Sequence, residues 1–108
     1  MSAGRLRKRV TSQRSVRVDD GYGGSQVVWE DVGRVWAAVE PLRGSERYAA
    51  QQVKNDLSHR VLMRYRPGVT PQMRLVLNDR VLNIEAVINV EERNRWLELL
   101  CQEVITDG

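Results

Sequence analysis

A chain of 108 residues, 42% hydrophobic and 29% charged, holds one domain and one core, which leaves no room for a large-substrate enzyme working alone. Its formal charge of +3 rests on 17 cations, all arginine except Lys8 and Lys54, and guanidinium groups suit paired contacts with carboxylates and phosphates at interfaces. Six of these cations and no acid lie between Met1 and Val18, so the other ninety residues carry a net −3 and the basicity belongs to one N-terminal arm.

In that arm Arg5, Arg7, Arg9, Thr11, Gln13, Ser15 and Arg17 share one parity and Leu6, Val10, Val16 and Val18 the other. Period two predicts a strand with one wet face, from which Arg5, Arg7, Arg9 and Arg17 project. Lys8 and Arg14 interrupt the apolar parity, so the strand is expected to be long, bent or at a sheet edge. The turn formers Asp19-Asp20-Gly21-Tyr22-Gly23-Gly24-Ser25 predict a loop or hairpin end, with Tyr22 the aromatic most exposed. With no helix start and no Lys-Ser/Thr pair before Val27, the glycines do not make a phosphate loop.

Val27 to Glu40 reads as two short strands, or as one strand kinked by a bulge at Asp31-Val32-Gly33 and ended by Pro41. Ser45 to Asn55 predicts one short helix with Ser45 as N-cap. Its apolar content, chiefly Tyr48, Ala49 and Val53, is thin and would anchor it poorly. His59 to Arg66 alternates as a half-buried strand. Met73 to Leu77 and Val81 to Ile88 flank Asn78-Asp79-Arg80 as a hairpin, with Leu82, Ile84, Ala86 and Ile88 on one face.

The segment Glu92 to Ile105 supports two readings. Trp96, Leu99, Leu100, Glu103 and Val104 fit helical spacing, which periodicity favours, whereas Leu97, Leu99, Cys101 and Ile105 fit a strand. Residues 1–4 and 106–108 are expected to fray. The elements together predict a mainly β, single domain spanning 1–108: a small six-stranded barrel or sandwich with one short helix and a long loop.

Chemistry-bearing constellations are sparse. His59 is the one histidine and Cys101 the one cysteine, some forty residues apart and in no zinc-ligand pattern. His59 is expected to be a strand-end residue satisfied locally, and Cys101, beside Leu99 and Leu100, a buried thiol rather than the nucleophile of a Cys–His pair. The adjacent acids Asp19-Asp20 and Glu91-Glu92 read as solvated turn or cap residues. Trp29, Trp36 and Trp96 read as core and interface packing rather than base-stacking platforms. No catalytic residue, metal, cofactor or small-molecule substrate is expected, and neither a signal peptide nor a membrane span, which points to a soluble, cytosolic product. The arginine arm stays open to three readings: nucleic-acid binding, docking on an acidic protein surface, or a solvated edge strand.

Five motifs then occur in a distinctive order: Gly4-Arg5-Leu6-Arg7-Lys8-Arg9-Val10-Thr11, Asp20-Gly21-Tyr22-Gly23-Gly24, Val35-Trp36-Ala37-Ala38-Val39-Glu40-Pro41, His59-Arg60-Val61 with Arg64-Tyr65-Arg66-Pro67-Gly68-Val69, and Leu97-Glu98-Leu99-Leu100-Cys101. Over nearly the whole chain this order resembles the head–tail joining (head closure, or stopper) proteins of long-tailed bacteriophages and prophages. The resemblance implies a non-enzymatic β-barrel subunit of a twelve-fold ring in the virion, assembled in the host cytoplasm. Portal and adaptor would lie above the ring and tail proteins below. It implies that a loop matching Leu42 to Leu57 reaches into the channel, where Arg43, Arg47 and Lys54 would meet packaged double-stranded DNA without sequence preference. The arm residues Arg5, Arg7, Arg9 and Arg17 would then dock on a neighbouring subunit or the adaptor, and Tyr22 would make an exposed loop contact. The resemblance also tips Trp96 to Val104 towards a strand. The alternative is a free-standing single-strand nucleic-acid-binding barrel, contacting phosphates through the arm.

Overall fold

Six alternating segments become six strands of one closed sheet in the computed structural model, which describes residues 3–54 and 56–104. A 3-10 turn at Ala3–Arg5 leads into β1 (Lys8–Asp19), β2 (Ser25–Pro41), α1 (Gly44–Val53), β3 (His59–Arg64), β4 (Arg74–Leu77), β5 (Arg80–Asn89), a second 3-10 turn at Val90–Glu92, and β6 (Trp96–Val104). All pairings are antiparallel, in the closed order β1-β2-β3-β6-β5-β4 with β4 returning to β1. Closure removes the open edges that a small sheet would otherwise expose. Val10, Val61, Met63, Leu75, Leu82, Ile84, Leu97, Leu99 and Cys101 fill the interior, one inward residue in two along each strand. The ends expected to fray, 106–108 and the first two of 1–4, lie outside the described residues, as does Ile105.

Two bulges set which side chains face inward. Ser12 pairs with Gly33 and Gln13 with Asp31, leaving Val32 as the extra residue of β2, inside the triplet where the sequence places a bulge. The second has no sequence signal. Ile84 pairs with Cys101 and Ala86 with Leu100, so Glu85 is extra and the parity of β5 slips there. Leu82 and Ile84 face the core, but beyond the slip Val87 packs on it and Ile88 is 42% exposed. This corrects the expected single face of Leu82, Ile84, Ala86 and Ile88.

Two expected boundaries also move. The strand expected from Arg5 begins at Lys8, because Arg5 closes the 3-10 turn and Arg7 binds back to the Gly4 carbonyl at 3.2 Å. The helix N-cap is Arg43, with no side-chain cap bond, so Ser45 lies within the first turn. Ala50, rather than Tyr48 or Ala49, is its buried contact, joined to Leu42, Leu57 and Leu100 in a satellite cluster outside the barrel wall; the Val53 side chain lies outside the described residues. Trp96 to Val104 forms strand β6, as the motif resemblance implies and against the helix that periodicity favours.

The β1–β2 hairpin outgrows the barrel. β4 pairs with β1 only from Thr11 to Gln13, so residues 14–19 and 25–30 pair with each other alone, as a two-stranded ribbon. The ribbon stretches the molecule to 49 × 27 × 26 Å.

Candidate functional site

Arginine chemistry divides the surface into cations already engaged and cations left over. Near the chain start, Arg5 pairs with Glu40, whose other oxygen accepts from Arg60 at 2.9 Å, and Arg60 reaches Glu46 of α1 at 2.5 Å. Chiefly the Arg60 bond, with Arg5 beside it, holds the Glu40 carboxyl below the usual carboxylate range. Arg9 stacks on the Trp36 ring at 5.0 Å, and Arg14 binds Glu30 through two nitrogens at 2.6 and 2.9 Å. Of the four expected docking arginines, Arg5, Arg7 and Arg9 thus have intramolecular partners and lie near the barrel, while Arg17 sits out on the ribbon. The structure does not gather them on one face of one strand.

The three tryptophans are not core residues, which corrects that part of their reading. Trp29 and Trp36 are exposed and Trp96 is half-buried, each beneath a guanidinium: Arg74 over Trp29 at 4.1 Å, Arg9 over Trp36, and Arg64 over Trp96 at 5.3 Å. A ring capped in this way keeps its apolar area at the surface while the cation gains the quadrupole's attraction. Sequence reasoning missed these stacks. Their one available signal was cross-strand position, since Arg9 and Trp36 are register partners, as are Arg64 and Trp96.

The segment expected to reach a channel, Leu42 to Leu57, leaves the barrel between β2 and β3 and carries α1. A satellite cluster of three buried residues and two ion pairs, Arg60–Glu46 and Lys54–Glu85 at 2.5 Å, hold it to the wall. Solvent-exposed pairs contribute at most about 1 kcal/mol each, so the segment sits at the low-stability end of the molecule. Lys54 is engaged with β5, whereas Arg43 and Arg47 are exposed and make no side-chain bond or ion pair with any described residue. Tyr22, at the ribbon tip, is 94% exposed.

His59 and Cys101 face each other across β3 and β6, yet their surroundings suppress nucleophilic chemistry. Burial pushes the Cys101 thiol up to about 12. The imidazole Nδ1 lies 2.8 Å from Ser58 Oγ and its Nε2 3.2 Å from Arg80, so an Arg80 N–H donating to Nε2 fixes the neutral tautomer with its proton on Nδ1. Desolvation accordingly lowers the His59 pKa from 6.5 against the pull of Glu103. Arg80 in turn holds Glu103 below the usual carboxylate range. Among the described residues no three His, Cys, Asp or Glu side chains gather as a metal site, and no helix is long and apolar enough to cross a membrane.

The carboxylate and imidazole shifts act in one direction with pH. Folded Glu40 and Glu103 titrate below their unfolded value near 4.5, so the stability they contribute is complete above that pH and is lost as acid carries the medium through the folded values. Folded His59 titrates below 6.5, so acidification first protonates the unfolded chain and draws stability away beneath that pH. Melting curves between pH 7.5 and 3.5 are expected to show Tm falling by a few degrees. His59→Gln should flatten the upper part of the fall, and Glu40→Gln with Glu103→Gln the lower part. A Tm that rises on acidification would contradict the assignment.

Comparison with known proteins adds what the geometry alone does not name. The sequence profile described as phage head completion protein matches residues 1–104. The chain is 26% identical over 73 residues to head completion protein gp16 of Bacillus phage SPP1, covering 68% of this chain and 67% of that one. Its fold is similar to the solution structure of protein SF1141 from Shigella flexneri 2a, with TM-score 0.75, 31% identity, and 99% and 100% of the two chains covered. It is also similar in fold to a chain in the virion of a native gene transfer agent particle, with TM-score 0.67, 24% identity, and 94% and 97% covered.

Proposed function

The chain belongs to the phage head completion protein family, and from that premise we propose that it forms a ring in the virion, below portal and adaptor, that closes the DNA channel after packaging and offers the tail its docking surface. The ring we envisage is dodecameric, assembles in the host cytoplasm and stays at the head–tail interface. The observation that carries the channel role is the α1 segment: weakly held to the barrel, and bearing in Arg43 and Arg47 exposed cations without partners among the described residues. A gate has to move, and loosely packed segments are what proteins move. Fixed cations without base-reading geometry hold the phosphate backbone at any sequence, as a passage for a whole genome requires.

A single-strand nucleic-acid binder using the arm gains less support, because Arg5, Arg9 and Arg14 are occupied by Glu40, Trp36 and Glu30. Gel filtration and electron microscopy of the chain mixed with its cognate portal and adaptor test the proposal. A ring seated on the portal–adaptor assembly is the expected result, and failure to co-assemble would overturn it.

A further inference from the structure

The ribbon tip and a groove on the barrel carry matching chemistry that one molecule cannot bring together. The tip is an acidic, aromatic knob. Asp19 accepts the Gly21 N–H at 2.9 Å and Asp20 those of Tyr22 and Gly24 at 2.8 and 3.1 Å, while Gly21 and Gly23 take positive φ values of 82° and 83°. These bonds set the loop's shape before any partner arrives, so little ordering cost remains to be met on binding. Neither carboxylate is ion-paired to a described residue, and Tyr22 projects almost wholly into solvent.

The groove, about 480 Å³, is lined by Trp36, Tyr65 and Pro67 together with Arg64 and Arg66. Neither arginine is paired with a described carboxylate: Arg64 lies over Trp96, and Arg66 lies so close to Gly33 that a Cβ there would stand 3.0 Å from its Nη1. An apolar trough with two unmatched guanidiniums complements a tyrosine flanked by two unmatched carboxylates. The tip cannot fold back to fill it. Ser25 and Trp36 stand eleven residues apart on one strand, roughly 35 Å at the strand rise, against a molecular width of 27 Å. A two-stranded ribbon with exposed Val18, Val27 and Trp29 is also marginal without a partner to cover it.

We propose that the ribbon tip of one copy seats in the Trp36–Tyr65–Pro67 groove of the next, with Asp19 and Asp20 meeting Arg64 and Arg66. Such a contact is head-to-tail: a joined pair keeps one free tip on one copy and one free groove on the other, and repetition closes into a ring when the rotation permits. This deepens the ring reading and rests on it.

The test uses rings assembled on portal and adaptor, with Tyr22→Cys and Pro67→Cys in one chain and oxidation before a non-reducing gel. A ladder of dimers, trimers and higher species is expected, and either single variant should give none. Adding Arg66→Glu should cut the ladder roughly tenfold or more, and adding Asp19→Arg to that chain should restore it. Rings visible by microscopy without a ladder overturn the contact and leave the ring reading standing. Dimers without higher bands indicate a reciprocal pair and overturn it likewise. An absence of rings removes both.

Discussion

Leu99→Ala is expected to lower the melting temperature by something on the order of 15 °C. Leu99 is wholly buried, with Val61 of β3 on one side of its strand and Val87 of β5 on the other. Removing its branched end costs roughly 2–5 kcal/mol when the site cannot collapse, and a closed barrel resists collapse because each strand is held on both sides. Against a total stability of roughly 5–15 kcal/mol, that is a large share. Leu57→Ala deletes the same atoms from a residue just as buried, but from the satellite cluster under α1. There the expected consequence is local: a smaller fall in Tm, and much faster proteolysis between residues 42 and 57. Calorimetry with limited proteolysis separates the two. Equal losses of Tm would make α1 part of the barrel's cooperative unit and would remove the physical basis for a movable gate.

The same satellite cluster explains why β6 misleads a periodicity reading. Its inner face presents Leu97, Leu99 and Cys101 to the barrel, while Leu100, on the opposite parity, packs under α1. A strand buried on one face and partly covered on the other shows an apolar run whose spacing also suits a helix. The motif resemblance decided the matter where periodicity could not.

The bulges show a related contrast. At Asp31-Val32-Gly33 a glycine and a charge interrupt a β-rich run, and the irregularity is legible; at Glu85 the flanking Ile84, Ala86, Val87 and Ile88 are all apolar, so nothing in the pattern records the slip. The arm was half legible. Its period-two arginines do announce β1, but which of them are occupied depends on Glu40, Glu30 and Trp36, supplied by a strand that is remote in sequence. The groove between Trp36 and Pro67 was not legible at all, because β2, β3 and the residues before β1 build it together.

Arg43→Ala combined with Arg47→Ala is expected to leave folding and ring formation intact while weakening the hold on DNA. Both side chains are exposed and bind no described residue, so their loss should change stability by no more than about 0.5 kcal/mol. In a ring around a DNA channel each would neutralise a phosphate. Deleting two cations then lowers the slope of log K against log salt by about 1.8 for every copy in contact with the duplex. On the proposed ring, repetition would multiply a weak individual contact into a large collective one. Lys54→Ala is the informative control. Its ammonium is tied to Glu85, so removing it should loosen α1 and leave the salt slope nearly unchanged. Binding of duplex DNA to assembled rings across a salt series distinguishes the two variants. A double variant with the parent slope would show that Arg43 and Arg47 do not face the DNA, and a Lys54 variant matching the double variant's slope would move the phosphate contact to the C-terminal end of the helix.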